Sequence, residues 1–218
     1  GPEGGAGGGC IVAEGPPERH IRFSRSPGSF GTWRSVQFFG SDGESRLRYV
    51  DIEYGGKGGA PNLYAEGARL YLDHVTWANT TSQLLALNNS SITLLNSTLP
   101  NIAGAELFRF AGMPGNGAAL IQGNRFGTTT QGRDVVQFTG GNRPGPIVQF
   151  LDNVFTGSSD DVLELLGTDA HIEGNLFLRV HQDAARNDAA HAIATGRNGG
   201  ETSEVTVVRN LFADCDHA

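Results

Sequence analysis

Lysine is almost missing from this chain: Lys57 stands alone among 218 residues, methionine also occurs once, and charged residues make up only 18% of the whole. Basic residues number 16 against 23 acidic ones, for a formal net charge of -7. Such a chain has no basic stripe to displace the counterions of a nucleic-acid backbone, which argues against nucleic-acid binding. It also lacks any run of about 18 apolar residues, so no membrane-spanning helix is expected. The two cysteines, Cys10 and Cys215, lie at opposite ends of the sequence. Two cysteines cannot build a disulfide framework, and neither has the neighbours of a zinc site, so both read as unpaired structural thiols. The opening "GPEGGAGGG" lacks the apolar segment of a secretory signal. Residues 1–9 therefore read as the scar of a cleaved tag or a disordered leader, and residues 10–218 as a single domain.

Glycine, by contrast, is plentiful, with 32 residues, and asparagine, serine and threonine are frequent. Turns must be common and long helices few, which points to an all-β protein. A repeat organises it. The segments "LIQGNRF" (120–126), "QFLDNVF" (149–155), "AHIEGNLF" (170–177) and "TVVRNLF" (206–212) share an apolar position, two residues, Asn, one residue and Phe. Weaker copies are "RYVDIEY" (48–54), "LYLDHVTW" (70–77) and "ITLLNSTL" (92–99), so the closing positions run Tyr54, Trp77, Leu99, Phe126, Phe155, Phe177 and Phe212. Between them lie short apolar segments, most of them ending at Gly: 62–67, 83–89, 106–112, 134–140, 161–167 and 191–196.

Two or three short strands per repeat of a little over twenty residues describe the rungs of a parallel β-solenoid, stacked about 4.8 Å apart. Asn124, Asn153, Asn175 and Asn210 should then stack at a bend, and Phe126, Phe155 and Phe177 inside the core. Residues 11–13, 21–23 and 33–38 fit the first rungs. At the other end Asp216, His217 and Ala218 match the opening of the next second strand, so the sequence reads as a piece of a longer solenoid. Its uncapped ends predict end-to-end self-association.

The chain from about residue 11 resembles a right-handed parallel β-helix of the pectin-lyase-like superfamily. The phrases "SPGSFGTW", "FTGGNRPGP", "GTDAHIEGN" and "TSEVTVVRNLF" resemble β-helix segments of large bacterial secreted proteins that carry lamin-tail or spore-coat-kinase-like modules. That resemblance implies a bacterial, secreted or cell-surface setting.

Alignment of the second strands on their openings produces one column: Asn62, Gln83, Glu106, Asp134, Asp161 and His191. Three carboxylates in successive rungs, with Asp160 beside the third, repel one another unless a cation bridges them or one stays protonated. Calcium suits Glu106, Asp134, Asp160 and Asp161, because hard cations take oxygen ligands. The alternative is structural, since Asp is favoured wherever a turn offers backbone amides to a side chain. A neighbouring column, Arg109, Gln137 and Glu164, offers a cation and hydrogen-bonding groups for a sugar carboxylate or hydroxyl. His171 and His181 read as hydrogen-bonded or exposed, and Lys57 as the charge of a flexible glycine-rich turn.

The same register resembles the polygalacturonase branch of the superfamily, with Asp134 at its first motif, Asp160 and Asp161 at its second, and His191 at its third. The resemblance implies catalysis of inverting hydrolysis by these residues, with a water between carboxyl groups. The sequence departs from the pattern: the Asn-Thr before the first Asp, both glycines around the histidine and the following Arg-Ile-Lys are missing. Arg197 is a nearby cation at no motif position. The sequence thus predicts a right-handed parallel β-helix of about seven to eight rungs. Its expected role is that of a scaffold or a carbohydrate-binding module with polysaccharide as ligand. The alternative is a carbohydrate-active enzyme, an inverting hydrolase or a uronate lyase, acting on acidic polysaccharide.

Overall fold

A computed structural model describes residues 9–40, 43–185 and 189–218. The expectation for the leader concerns residues 1–9, of which only the last is among them. The protein is all-β, without an α-helix among the described residues, and every pairing between its named strands is parallel. A seven-stranded sheet runs in chain order through Val36–Phe39, Leu63–Glu66, Leu85–Asn88, Phe108–Ala111, Val136–Thr139, Leu163–Leu166 and Ile193–Gly196. The last six of these are the short segments found between the Asn-x-Phe motifs. A 14-stranded sheet divides into two branches beyond the long strand Arg69–Ala78. One branch continues through Ser91–Leu95, Ala119–Gln122, Val148–Leu151, Ala170–Glu173 and Val205–Val208, and the other through Thr98–Leu99, Arg125–Phe126, Val154–Phe155, Leu176–Val180 and Leu211–Cys215. Such an order, in which each strand pairs with its equivalent one repeat away, is compatible with the expected solenoid.

Alternation explains which side chains fill the core. In Phe108–Ala111 the phenylalanines are buried while Arg109 faces out, and the same two-residue period holds in Val136–Thr139 and Leu163–Leu166. Register then piles equals on equals. Phe126, Phe155, Phe177 and Phe212 form a continuous stack with ring centroids 4.7, 5.0 and 4.9 Å apart. Leu99 pairs with Phe126, but in the first long strand the partner of Trp77 is Ile52, not Tyr54. The strand Glu44–Glu53 ends before Tyr54, which turns at φ 61 and carries the Arg25 guanidinium 3.8 Å over its ring.

The bend between the two branches is built by asparagine. Asn153 Oδ1 accepts both the backbone and the side-chain N–H of Asn124, each at 3.0 Å. Asn175 does the same for Asn153 at 2.9 Å, and Asn210 for Asn175 at 2.8 and 2.9 Å. Each side-chain amide also donates to a strand carbonyl of the preceding repeat, as Asn153 does to Ile121 at 2.9 Å. Asn124, Asn153 and Asn175 are buried, so this pairing satisfies groups that water cannot reach. The residue before each of these four asparagines lies in the left-handed region: Gly123, Asp152, Gly174 and Arg209 have φ between 54 and 70, and Asn96, before Ser97, has φ 47. Asn79 and Asn89, like Asn96, are left-handed corner residues, a conformation asparagine tolerates best after glycine. Cys10 and Cys215 are both free, but Cys10 is exposed and so is not the buried structural thiol expected of it.

Candidate functional site

The seven-stranded sheet stacks its strand openings as the sequence alignment anticipates. Glu106, Asp134, Asp161 and His191 each stand two residues before the register-matched Phe108, Val136, Leu163 and Ile193. Asp134 Oδ1 accepts the Asp161 amide at 3.3 Å, and Asp161 Oδ1 accepts the His191 amide at 2.9 Å. Nδ1 of His191 lies 2.9 Å from the same Asp161 oxygen. His217 adds one more step, bridging to His191 with the rings 5.1 Å apart. One task of the column is therefore structural, because each aspartate caps the opening of the strand that follows.

The column also forms the wall of an open pocket of about 440 Å³. Among the described residues five carboxyl groups line it, those of Glu106, Asp134, Asp160, Asp161 and Glu164, together with Gln137, Arg133 and His191. Oxygens of Asp134, Asp160 and Asp161 lie within 4.8 Å of one another. A hard cation with ligands at about 2.3–2.6 Å could span such a triplet. Glu106 stands apart from the triplet, with the Arg133 guanidinium 3.5 Å away. From the adjacent column Gln137 and Glu164 reach the pocket, and the Gln137 amide donates to Glu164 at 2.5 Å. Arg109 shares their register but does not line the pocket, and neither does Arg197.

Asp134 is the perturbed group. Only 9% of it is exposed. Burial first, then the negative charges of Glu164, Asp160 and Asp161 and the contact with Glu164, push its carboxyl up to about 8 from 3.8. A carboxyl that holds its proton at neutral pH can donate a hydrogen bond, which an ordinary surface aspartate cannot.

Sequence reasoning missed Gly132, Ala189 and Ala194 as lining residues, which carry no signal of their own. Of the three arginines that a lyase would need as base, Arg109, Arg133 and Arg143, the pocket wall includes Arg133. The other histidines are engaged elsewhere: His171 with Glu173 at 2.6 Å, and His181 with Asp216 at 2.9 Å and Asp214 at 3.3 Å. Compared with known proteins, the chain matches no family model, no curated protein and no solved structure.

Proposed function

We propose that the chain is a right-handed parallel β-helix of about seven to eight turns, of pectin-lyase-like type, and that its acidic pocket binds carbohydrate. The parallel pairing of successive repeats supports the coil, and parallel crossovers are right-handed with very few exceptions. The module belongs, on this reading, to a bacterial protein that is secreted or held at the cell surface. One observation carries the binding role: side chains from successive strand openings converge on one open pocket instead of being spent wholly on backbone amides. The pocket is rich in acceptors, and sugar hydroxyls are donors that carboxylates and Gln137 can fix in orientation. Isothermal titration of the chain against a panel of neutral and acidic oligosaccharides tests it. The expected result is binding that Asp160→Asn weakens by about tenfold, the loss of one charge-assisted contact. Failure of every oligosaccharide to bind, or equal binding by the variant, overturns the reading.

A second reading, hydrolysis, draws on Asp134, whose retained proton beside charged carboxylates supplies an acid and a base. The spacing works against the inverting form. Oxygens within 4.8 Å leave less than the about 6.5–9.5 Å that accommodates an intervening water. A lyase needs a cationic or neutral base beside a neutralised uronate, and the one arginine lining the pocket among the described residues, Arg133, faces Glu106. Release of reducing ends or of unsaturated products from acidic polysaccharides decides between binding and catalysis. End-to-end contact between copies would use the outermost described strands, where Val12, Val207 and Leu211 are exposed. Sedimentation that is independent of concentration rules such contact out.

A further inference from the structure

A polar groove lies at the corner between the seven-stranded sheet and the long strand Arg69–Ala78, and shares no residue with the acidic pocket. It consists of two hollows of about 250 and 230 Å³, both lined by Arg69, Ser91 and Asn116. Arg69 opens its strand and is register-matched to Glu44 on one side and Ser91 on the other. Glu44, the natural partner for its charge, is taken by Arg46 at 2.9 Å. Arg69 consequently has no ion pair among the described residues.

Other donors surround it. Asn89, at φ 42 after the strand Leu85–Asn88, lines one hollow. Asn116 stands in the loop opposite, which is closed by the Gly117 N–H donating to Pro114 at 2.7 Å. That loop is pressed onto the strand beneath: a Cβ on Gly117 would come within 2.9 Å of Ser91 Oγ. Ser91 Oγ accepts the Ala118 amide at 3.2 Å, which leaves its own proton to donate. The groove thus offers a guanidinium, two carboxamides and a hydroxyl, with a wall already folded in place, and the Glu44 carboxylate that borders one hollow is held by Arg46.

A planar carboxylate is served by two parallel donors in one plane. Donors arriving from several sides suit a tetrahedral oxyanion, and the amides have acceptors left over for neighbouring hydroxyls. We propose that this groove binds a sulfate or phosphate monoester carried on a sugar or polyol. Arg69 holds the ester oxygens, while Asn89, Asn116 and Ser91 orient the ester and the ring that bears it. The site stands whether or not the acidic pocket binds carbohydrate.

The ¹⁵N-labelled chain, titrated at low ionic strength with glucose 6-sulfate and glucose 6-phosphate, tests the proposal, with glucose and inorganic sulfate as controls. Saturable shifts of the Arg69, Asn89, Asn116 and Gly117 amides with an ester are expected, stronger than with either control. Response to one ester alone identifies the source of the oxyanion. Arg69→Gln, at an exposed position, should weaken binding about tenfold, and Asn116→Ala about threefold, in keeping with the loss of a charged and a neutral hydrogen bond. Equal binding of glucose, absence of shifts with both esters, or an Arg69→Gln titration that matches the parent overturns it.

Discussion

Asp134→Asn should stabilise this protein, and by an amount that depends on pH. The carboxyl of Asp134 is raised to about 8 from 3.8 by burial and by the charges of Glu164, Asp160 and Asp161. Below the lower value both the folded and the unfolded chain carry the proton, and the residue contributes no penalty. As pH rises toward the folded value, the unfolded chain releases its proton while the folded chain keeps it, so stability falls steadily. Above about 8 the loss is complete. A gap of about 4 units corresponds to about 5–6 kcal/mol. Side-chain relaxation and counter-ions in an open pocket reduce this, so about 2 kcal/mol is expected at pH 8, or about 4–8 °C in Tm. Asparagine keeps the oxygen that caps the Asp161 amide and gains an N–H to offer Glu164, so the fold loses nothing. Thermal and urea unfolding of both proteins from pH 3.5 to pH 9 measures the difference. Curves that meet at low pH and diverge upward are the expected result. Parallel curves, or a less stable variant at pH 8, refute the electrostatic account of the pocket.

Asn153→Ala orphans the Asn124 amide and the Ile121 carbonyl inside the bend and should cost about 3 kcal/mol in urea unfolding. Asn210→Ala, at a half-buried position where water can substitute, should cost about 1 kcal/mol, and equal losses would contradict the ladder's role. Gly127→Ala would drive a Cβ to 2.3 Å from the Pro100 carbonyl carbon and should cost at least about 3 kcal/mol, whereas Gly115→Ala meets no atom within 4 Å and should be silent by calorimetry. If calcium occupies the aspartate triplet, saturating calcium raises Tm and chelator reverses it, by about 2.7 kcal/mol at one hundred times Kd. An unchanged midpoint removes calcium from the site.

The parts of the fold legible in the sequence were those governed by repetition. The Asn-x-Phe spacing identified both the asparagine bend and the phenylalanine stack, because register in a parallel sheet brings equals together. The column of Glu106, Asp134, Asp161 and His191 was legible for the same reason. Tyr54 was misplaced by two residues, since "RYVDIEY" lacks the asparagine that marks the bend and the core position fell to Ile52. The depth of the pocket was not legible. It depends on loops of unequal length between repeats, and no period sets where Arg133 or Ala189 comes to lie, or keeps Arg109 and Arg197 outside. The Arg69 groove was missed because its emptiness arises from a competition, Arg46 having taken Glu44, that spacing alone does not reveal.

The asparagine bend also has a direction. The side-chain amides of Asn124, Asn153 and Asn175 each donate to the asparagine oxygen of the repeat after, so every step of the ladder runs in the same sense. It begins with the Ser97 amide donating to Asn124 Oδ1 and ends at the Asn210 oxygen. Asn210 itself spends its side-chain amide on the Ile172 and Val208 carbonyls. The bend therefore has one hydrogen-bonding sense from first repeat to last, and a single asparagine turned the other way would set oxygen against oxygen.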